Sequence, residues 1–202
     1  MKSNYKQAYY KEWETLKNRD FERVSKIRSV NYYKENNQFK IKLIDKEYML
    51  DCNEKKIKSI ENNNIPSAET GVMILNYLSF TDYDVECTNK LVSLKEIPNG
   101  GMMFYPAFYK CAIMKLINNF GYDLNKFKIC CERLGGKEIK LGDKAYVFEV
   151  FPKLRISVAI WEGDEEIRPN ATILFDSSVQ FLMHVESIIG LGYYLVNELC
   201  YV

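Results

Sequence analysis

The tract from Lys153 to Ser178, KLRISVAIWEGDEEIRPNATILFDSS, constrains the fold more than any other part of this chain. It reads as a buried strand, a sharp acidic turn and a second buried strand. Residues 144–151 form a further run of β-branched and aromatic side chains, divided from 154–162 by Pro152-Lys153. Apolar runs broken by turn residues at this spacing predict a hairpin. Successive strand side chains point to opposite faces. Leu154, Ile156, Val158 and Ile160 therefore share one face, and Arg155, Ser157, Ala159 and Trp161 the other. The first face is apolar and is expected to pack on helices. The second is smaller and mixed, and is free to line a groove. Ala171–Phe175 supplies the next strand.

The remaining pattern mixes strands and helices without strict alternation. Residues 3–30 read as helix, with Tyr5, Ala8, Tyr9, Trp13, Leu16 and Phe21 as a thin aromatic stripe. Residues 38–60 read as a small antiparallel unit, in which Phe39, Ile41 and Leu43 alternate with Lys40, Lys42 and Ile44 before a turn at Asp45-Lys46. Ser67 is a plausible helix cap, followed by Val72, Leu75, Tyr77 and Leu78 as a buried face. Residues 90–97 predict a short strand that leads into the turn Pro98-Asn99-Gly100-Gly101. Pro106 suits the first position of a helix, where its missing N–H costs nothing. Phe108, Cys111, Ala112, Leu116 and Phe120 then repeat at helical spacing, broadened by Ile113 and Ile117, up to Gly121. Helices are also expected over 124–134, ending at Gly135-Gly136, and over 185–199, where Gly190 and Gly192 permit close packing. The fold class is α+β, with a mixed or mainly antiparallel sheet and helices packed on one face. Residues 1–30 form an N-terminal helical segment and 31–202 a single α+β domain.

Composition excludes several function classes. Lys and Arg total 28 and Asp and Glu total 27, so no basic excess points to nucleic acid. No apolar run approaches the ~18 residues of a membrane span. The N-terminus MKSNYKQAYYKEWE lacks the apolar core of a signal peptide, and a cytoplasmic location is expected. Six cysteines, Cys52, Cys87, Cys111, Cys130, Cys131 and Cys200, include no C-x-x-C pair. With His184 as the sole histidine, zinc-site spacing is absent. The cysteines read as reduced, mostly buried thiols, and no metal site is expected.

Glu162, Asp164, Glu165 and Glu166 crowd one turn, and Asp176 follows at the end of the next strand. Such carboxylates can hold a hard cation, but consecutive residues diverge unless the loop folds back. Otherwise Asp164 bonds its own backbone. The glycine pair Gly100-Gly101 lacks the spacing of a phosphate loop. Arg155 can meet a ligand carboxylate or pair with Glu149 across the hairpin.

Phe104-Tyr105-Pro106-Ala107-Phe108, Leu134-Gly135-Gly136, Gly142-Asp143, Trp161-x-Gly163-Asp164-Glu165-Glu166 and Leu174-Phe175-Asp176-x-Ser178 stand in order along the chain. From about residue 25 onward the chain resembles an uncharacterised family of anaerobic bacteria and archaea. Some members of that family carry, ahead of this domain, an iron–sulfur domain of corrinoid-protein type. The chain has no four-cysteine motif of its own, so the iron–sulfur or corrinoid connection that the resemblance implies concerns a partner or a context, not a cluster ligated here. It supplies no catalytic residues and leaves the cofactor unknown. Trp161 and Tyr105 lie in the resembling segments and offer flat apolar faces with a polar edge. His184 stands where the family favours a small capping residue, which argues against a shared catalytic role.

Three functional expectations follow. The first is a non-catalytic domain that binds a small molecule or a protein partner in anaerobic corrinoid, haem or iron–sulfur metabolism. Its ligand-facing residues would be Tyr105, Arg155, Trp161, Asp164, Glu166 and Asp176. The second is an enzyme that uses Asp164, Glu166 and Asp176, with or without Mg²⁺. The third is an interaction adaptor that uses the aromatic N-terminal helix; deleting residues 1–25 would then leave stability nearly unchanged.

Overall fold

A computed structural model describes residues 2–201 of the chain. The helix expected over 3–30 is two helices, α1 (Lys2–Lys17) and α2 (Phe21–Arg28). Asp20 makes the break, because its carboxylate accepts the Arg23 N–H at 3.1 Å and caps α2. Ser29, at φ 53°, ends α2 in the left-handed region. The stripe on α1 is deeper than its thin pattern suggests: Trp13 and Leu16 are buried in the same core cluster as the strands that follow.

Strands β1 (Asn31–Tyr33), β2 (Gln38–Leu43), β3 (Lys46–Asp51) and β4 (Lys56–Ser59) form an antiparallel meander in chain order. Phe39 pairs with Leu50 and Ile41 with Tyr48, which places one buried face of the meander on the core. Ile44, at φ 56°, occupies the turn, and its N–H donates to the Val150 carbonyl at 2.9 Å. That bond ties the meander to the larger sheet. Helix α3 (Ala68–Ser79) begins where expected, with the Ser67 hydroxyl accepting the Thr70 N–H at 3.1 Å. Two arginines close its other end. Arg19 donates to the Ser79 carbonyl at 2.7 Å, and the buried Arg28 donates to Tyr77 and Thr81 carbonyls at 2.8 and 2.7 Å. They satisfy carbonyls that the last turn of a helix leaves unpaired.

The strand expected over 90–97 is only β5 (Leu91–Ser93), followed by a 3₁₀ turn, Leu94–Glu96. Glu96 accepts the Ser93 N–H at 2.7 Å and winds the chain out of the sheet. Helix α4 (Gly101–Phe108) then starts five residues earlier than the Pro106 position implies. Asn99 (φ 62°) and Gly100 (φ 130°) turn the backbone into it, and a Cβ on Gly101 would lie 2.0 Å from the Leu94 carbonyl oxygen. Pro106 therefore sits inside the helix, where it removes one rung of the ladder. A π-helical segment, Tyr109–Ile113, follows directly and leads into α5 (Met114–Phe120). The wider turn rotates Cys111 out to solvent, while Phe108, Ala112, Leu116 and Phe120 stay buried. Helix α6 (Leu124–Arg133) stops at Gly135 (φ 74°), with the Gly136 N–H returning to the Cys131 carbonyl at 2.9 Å.

The larger sheet contains β6 (Lys137–Ile139), β7 (Lys144–Phe151), β8 (Leu154–Trp161) and β9 (Asn170–Asp176), in the order β5-β9-β8-β7-β6, antiparallel throughout. Lys153, at φ 62°, forms the β7–β8 turn. A short helix α7 (Val179–Leu182) and the long α8 (Val185–Cys200) complete an α+β fold. Helices cover one face of this sheet. Phe127 of α6 packs edge-on to Tyr146, Tyr77 of α3 stacks on Phe151 at 4.5 Å, and Phe108 meets Phe175. Each fully buried Phe or Leu of this layer contributes about 1.5–3 kcal/mol. Gly192 admits α8 to the layer, since a Cβ there would lie 2.6 Å from the Phe108 ring. On the opposite face Arg155 and Glu149 are exposed. Ser157 and Ala159 are buried there between half-buried Val147, Thr172 and Leu174.

Candidate functional site

The residues singled out in the sequence sit mostly on the sheet side, and the structure gives Trp161, Asp164, Asp176, Arg155 and Tyr105 each a local partner. Trp161 is half-buried against the Gly142 backbone, where a Cβ would lie 3.2 Å from the indole. Asp143 accepts the Glu162 N–H at 2.8 Å. The acidic turn folds on itself: Asp164 accepts the N–H groups of Glu166 and Ile167 at 2.8 and 2.7 Å. Those bonds hold the Asp164 carboxyl below its ordinary range. Glu165 and Glu166 point to solvent. Asp176 is buried and accepts four bonds, from the Thr88 N–H (3.0 Å), the Thr88 hydroxyl (2.8 Å), the Asn89 N–H (2.7 Å) and the Ser178 N–H (2.9 Å). Burial pulls its carboxyl upward, but the bonds from Ser178 and Thr88 outweigh it and hold it low. Arg155 stands opposite Glu149 in register, yet its guanidinium donates to Asn89 Oδ1 at 3.2 Å. Tyr105 lies apart on α4, half-buried, with Lys95 Nζ 4.3 Å from its ring centre. Among the described residues no group of three or more His, Cys, Asp or Glu is placed to hold a metal ion.

A larger feature lies among the helices. Helix α3 packs against both α1 and α8, and the three enclose a cleft of about 830 Å³. Tyr5, Ala8, Glu12 and Thr15 face it from α1 at helical spacing. Gly190, Tyr193 and Asn197 do so from α8, and Tyr201 from just past its end. Two close approaches set the geometry. A Cβ on Gly71 would lie 2.5 Å from the Tyr9 ring, and one on Gly190 would lie 3.0 Å from Met73 Sδ. Phe80, Phe104 and Tyr194 join Tyr5 and Tyr193 as the aromatic part of a wall that also carries Lys11, Glu69 and Glu186.

The floor is polar and ordered. Asn76, buried in the last turn of α3, accepts the His184 N–H at 2.9 Å and so caps α8. Its amide donates to Glu12 Oε2 at 3.3 Å, and the buried Ser79 hydroxyl donates to the same oxygen at 3.2 Å. Glu12, on α1, is thus held by two donors of α3. The His184 ring does not cap; it stands exposed, edge-on to Phe80 at 6.3 Å. At the far end Lys46 pairs with Glu198 at 2.7 Å, and Tyr194 beneath them has its phenol pushed strongly upward by burial and by a bond to Tyr48. At the other end Tyr5 is also shifted upward, by burial and by the carboxylates Glu69 and Glu186. Asn76 was the legible signal for this site, because an amide inside the apolar run Val72–Leu78 must find partners when buried.

An α+β domain with a helical cleft of ligand size is the class defined by this geometry. The model for a domain of unknown function, DUF3786, matches residues 20–198, and the chain belongs to that family. No curated protein and no solved structure matches it.

Proposed function

We propose that this chain is a non-catalytic binding domain whose small-molecule ligand occupies the α1/α3/α8 cleft. The observation that carries the reading is a cleft of about 830 Å³ with the aromatic side chains of Tyr5, Phe80, Phe104, Tyr193 and Tyr194 in its wall and a pre-ordered polar floor at Glu12, Asn76 and Ser79. Ligand sites are typically concave, apolar and few in polar groups, within about 300–1,000 Å³. The floor groups support binding over turnover, since Asn76 spends both ends of its amide on the fold. Among the described residues no helix is long and apolar enough to cross a membrane, and we place the protein in the cytoplasm. Its setting in anaerobic corrinoid, haem or iron–sulfur metabolism, with a partner from that chemistry, is drawn from the family resemblance. A Soret or corrinoid band in anaerobically purified protein would support that setting, and an aromatic band alone would remove a retained chromophore.

The competing surface is the sheet face of Arg155 and Trp161 with Asp164 and Glu166 in the turn beyond it; Tyr105 lies apart on α4 and Asp176 is buried and spent on four bonds. A fragment library screened by saturation-transfer NMR separates the two. Ala8→Trp, which fills the cleft from a half-buried position, is expected to abolish the shared set of hits. Arg155→Ala with Trp161→Ala is expected to keep them. Hits that survive Ala8→Trp in folded protein would move the site out of the cleft.

A further inference from the structure

The cleft has a charge pattern that narrows its occupant. Glu198 is neutralised by Lys46. Glu12, Glu69 and Glu186 also line the cleft, and among the described residues none has a basic partner within 4.0 Å. Lys11, on the exposed edge of α1, offsets one of these charges. Glu12 differs from the two rim carboxylates in being half-buried and fixed. Asn76 and Ser79 both donate to Oε2, and Oε1 has no hydrogen-bond partner among the described residues. A carboxylate is acceptor-only, so the unused oxygen of a positioned, partly desolvated carboxylate calls for a donor. A charged donor answers it best. Around it, Tyr5, Phe80, Phe104 and Tyr193 present ring surfaces, and aromatic faces attract cations held against them.

We propose that the cleft recognises an organic cation, an ammonium or amidinium carried on a flat apolar body, with Glu12 as its anionic anchor. The inference rests on the cleft being the binding site. The cationic head donates to Glu12 at the junction of α1 and α3. The flat body lies between the aromatic residues of α8 and the Phe80/Phe104 end. Glu69 and Glu186 add attraction at the rim.

Three matched probes test it: tryptamine (cation), tryptophol (neutral) and indole-3-acetate (anion), titrated by calorimetry against wild type and Glu12→Gln. Tryptamine is expected to bind at least about tenfold tighter than tryptophol, with indole-3-acetate weakest. Glu12→Gln keeps the side-chain shape, and is expected to bring tryptamine down to the affinity of tryptophol while leaving tryptophol unchanged. If that variant does not fold, the exposed double variant Glu69→Gln/Glu186→Gln carries the test, with an expected loss of about threefold for tryptamine alone. Equal binding of all three probes, abolished by Ala8→Trp, overturns the cation preference and leaves the cleft as the site. Probe binding indifferent to Ala8→Trp overturns both readings. Binding of none of the three, or a cation preference that persists in Glu12→Gln, overturns the inference as well.

Discussion

The sheet-side turn and the helical cleft use carboxylates in opposite ways. Asp164 in the β8–β9 turn and Asp176 at the far end of β9 spend their oxygens chiefly on backbone N–H groups around them. Those acids build the fold: Asp164 closes a turn, and Asp176 fastens residues 88–89 to the end of β9. In the cleft, Glu12 is gripped through one oxygen and presents the other. Acids within a dense motif can therefore be spent on the fold, while a single glutamate in a lysine-rich helix faces the cavity. Local spacing accounts for Asp164, whose partners lie two and three residues on, whereas Asp176 draws three of its four bonds from Thr88 and Asn89. Residues from three helices can converge only after the chain has folded.

This contrast breaks most severely at α1, which belongs to the core and to the cleft wall together. Trp13→Ala is expected to destabilise the protein by about 3–5 kcal/mol, as for a fully buried Trp, read by urea denaturation. An α1 that were only an adaptor would show almost no change. Next comes Asp176→Ala, which strands four donors and is expected to lose about 3 kcal/mol. The pH dependence sharpens this. The folded carboxyl of Asp176 lies below its unfolded value, so its contribution is full above the unfolded pKa of about 4 and fades as pH falls through the folded one. The gap between wild type and Asp176→Asn is thus expected to narrow below about pH 4 and to stay constant from pH 5 to 7. A gap that widened in acid would contradict the assignment.

On the cleft side, Asn76→Ala removes the cap of α8 and one anchor of Glu12. About 2 kcal/mol is expected, together with weaker ligand binding. The smallest effect belongs to Asp164→Ala, which opens an exposed turn. Melting temperature is expected to fall only slightly, and ligand binding to be unaltered. Loss of binding in that variant would return the acidic turn to the site.

Much of the fold was legible in the chain. The β7–β8 hairpin followed from two apolar runs around Pro152-Lys153, and α3 from Ser67 ahead of an apolar face. Pro106 misled because its preference for a first turn is a local rule. The chain had already entered the helix at Gly100-Gly101, where only glycine tolerates the Leu94 carbonyl so close. Cys111 misled because a π-helical segment shifts the helical period that places it inward. The cleft was the least legible part. Glu12, Asn76 and Gly190 lie far apart in sequence, and each has a plain structural reading when taken alone: a solvated charge, a polar interruption, a packing glycine.

The most direct test of the central claim is an amide map. The ¹⁵N-labelled protein would be titrated with a small-molecule extract of its native host. Ligand occupancy of the cleft predicts shifts at Glu12, Asn76, Gly190 and Asn197, with Arg155, Trp161 and Asp164 unmoved. Shifts confined to Arg155, Trp161 and Asp164 would contradict the account and place the ligand on the sheet.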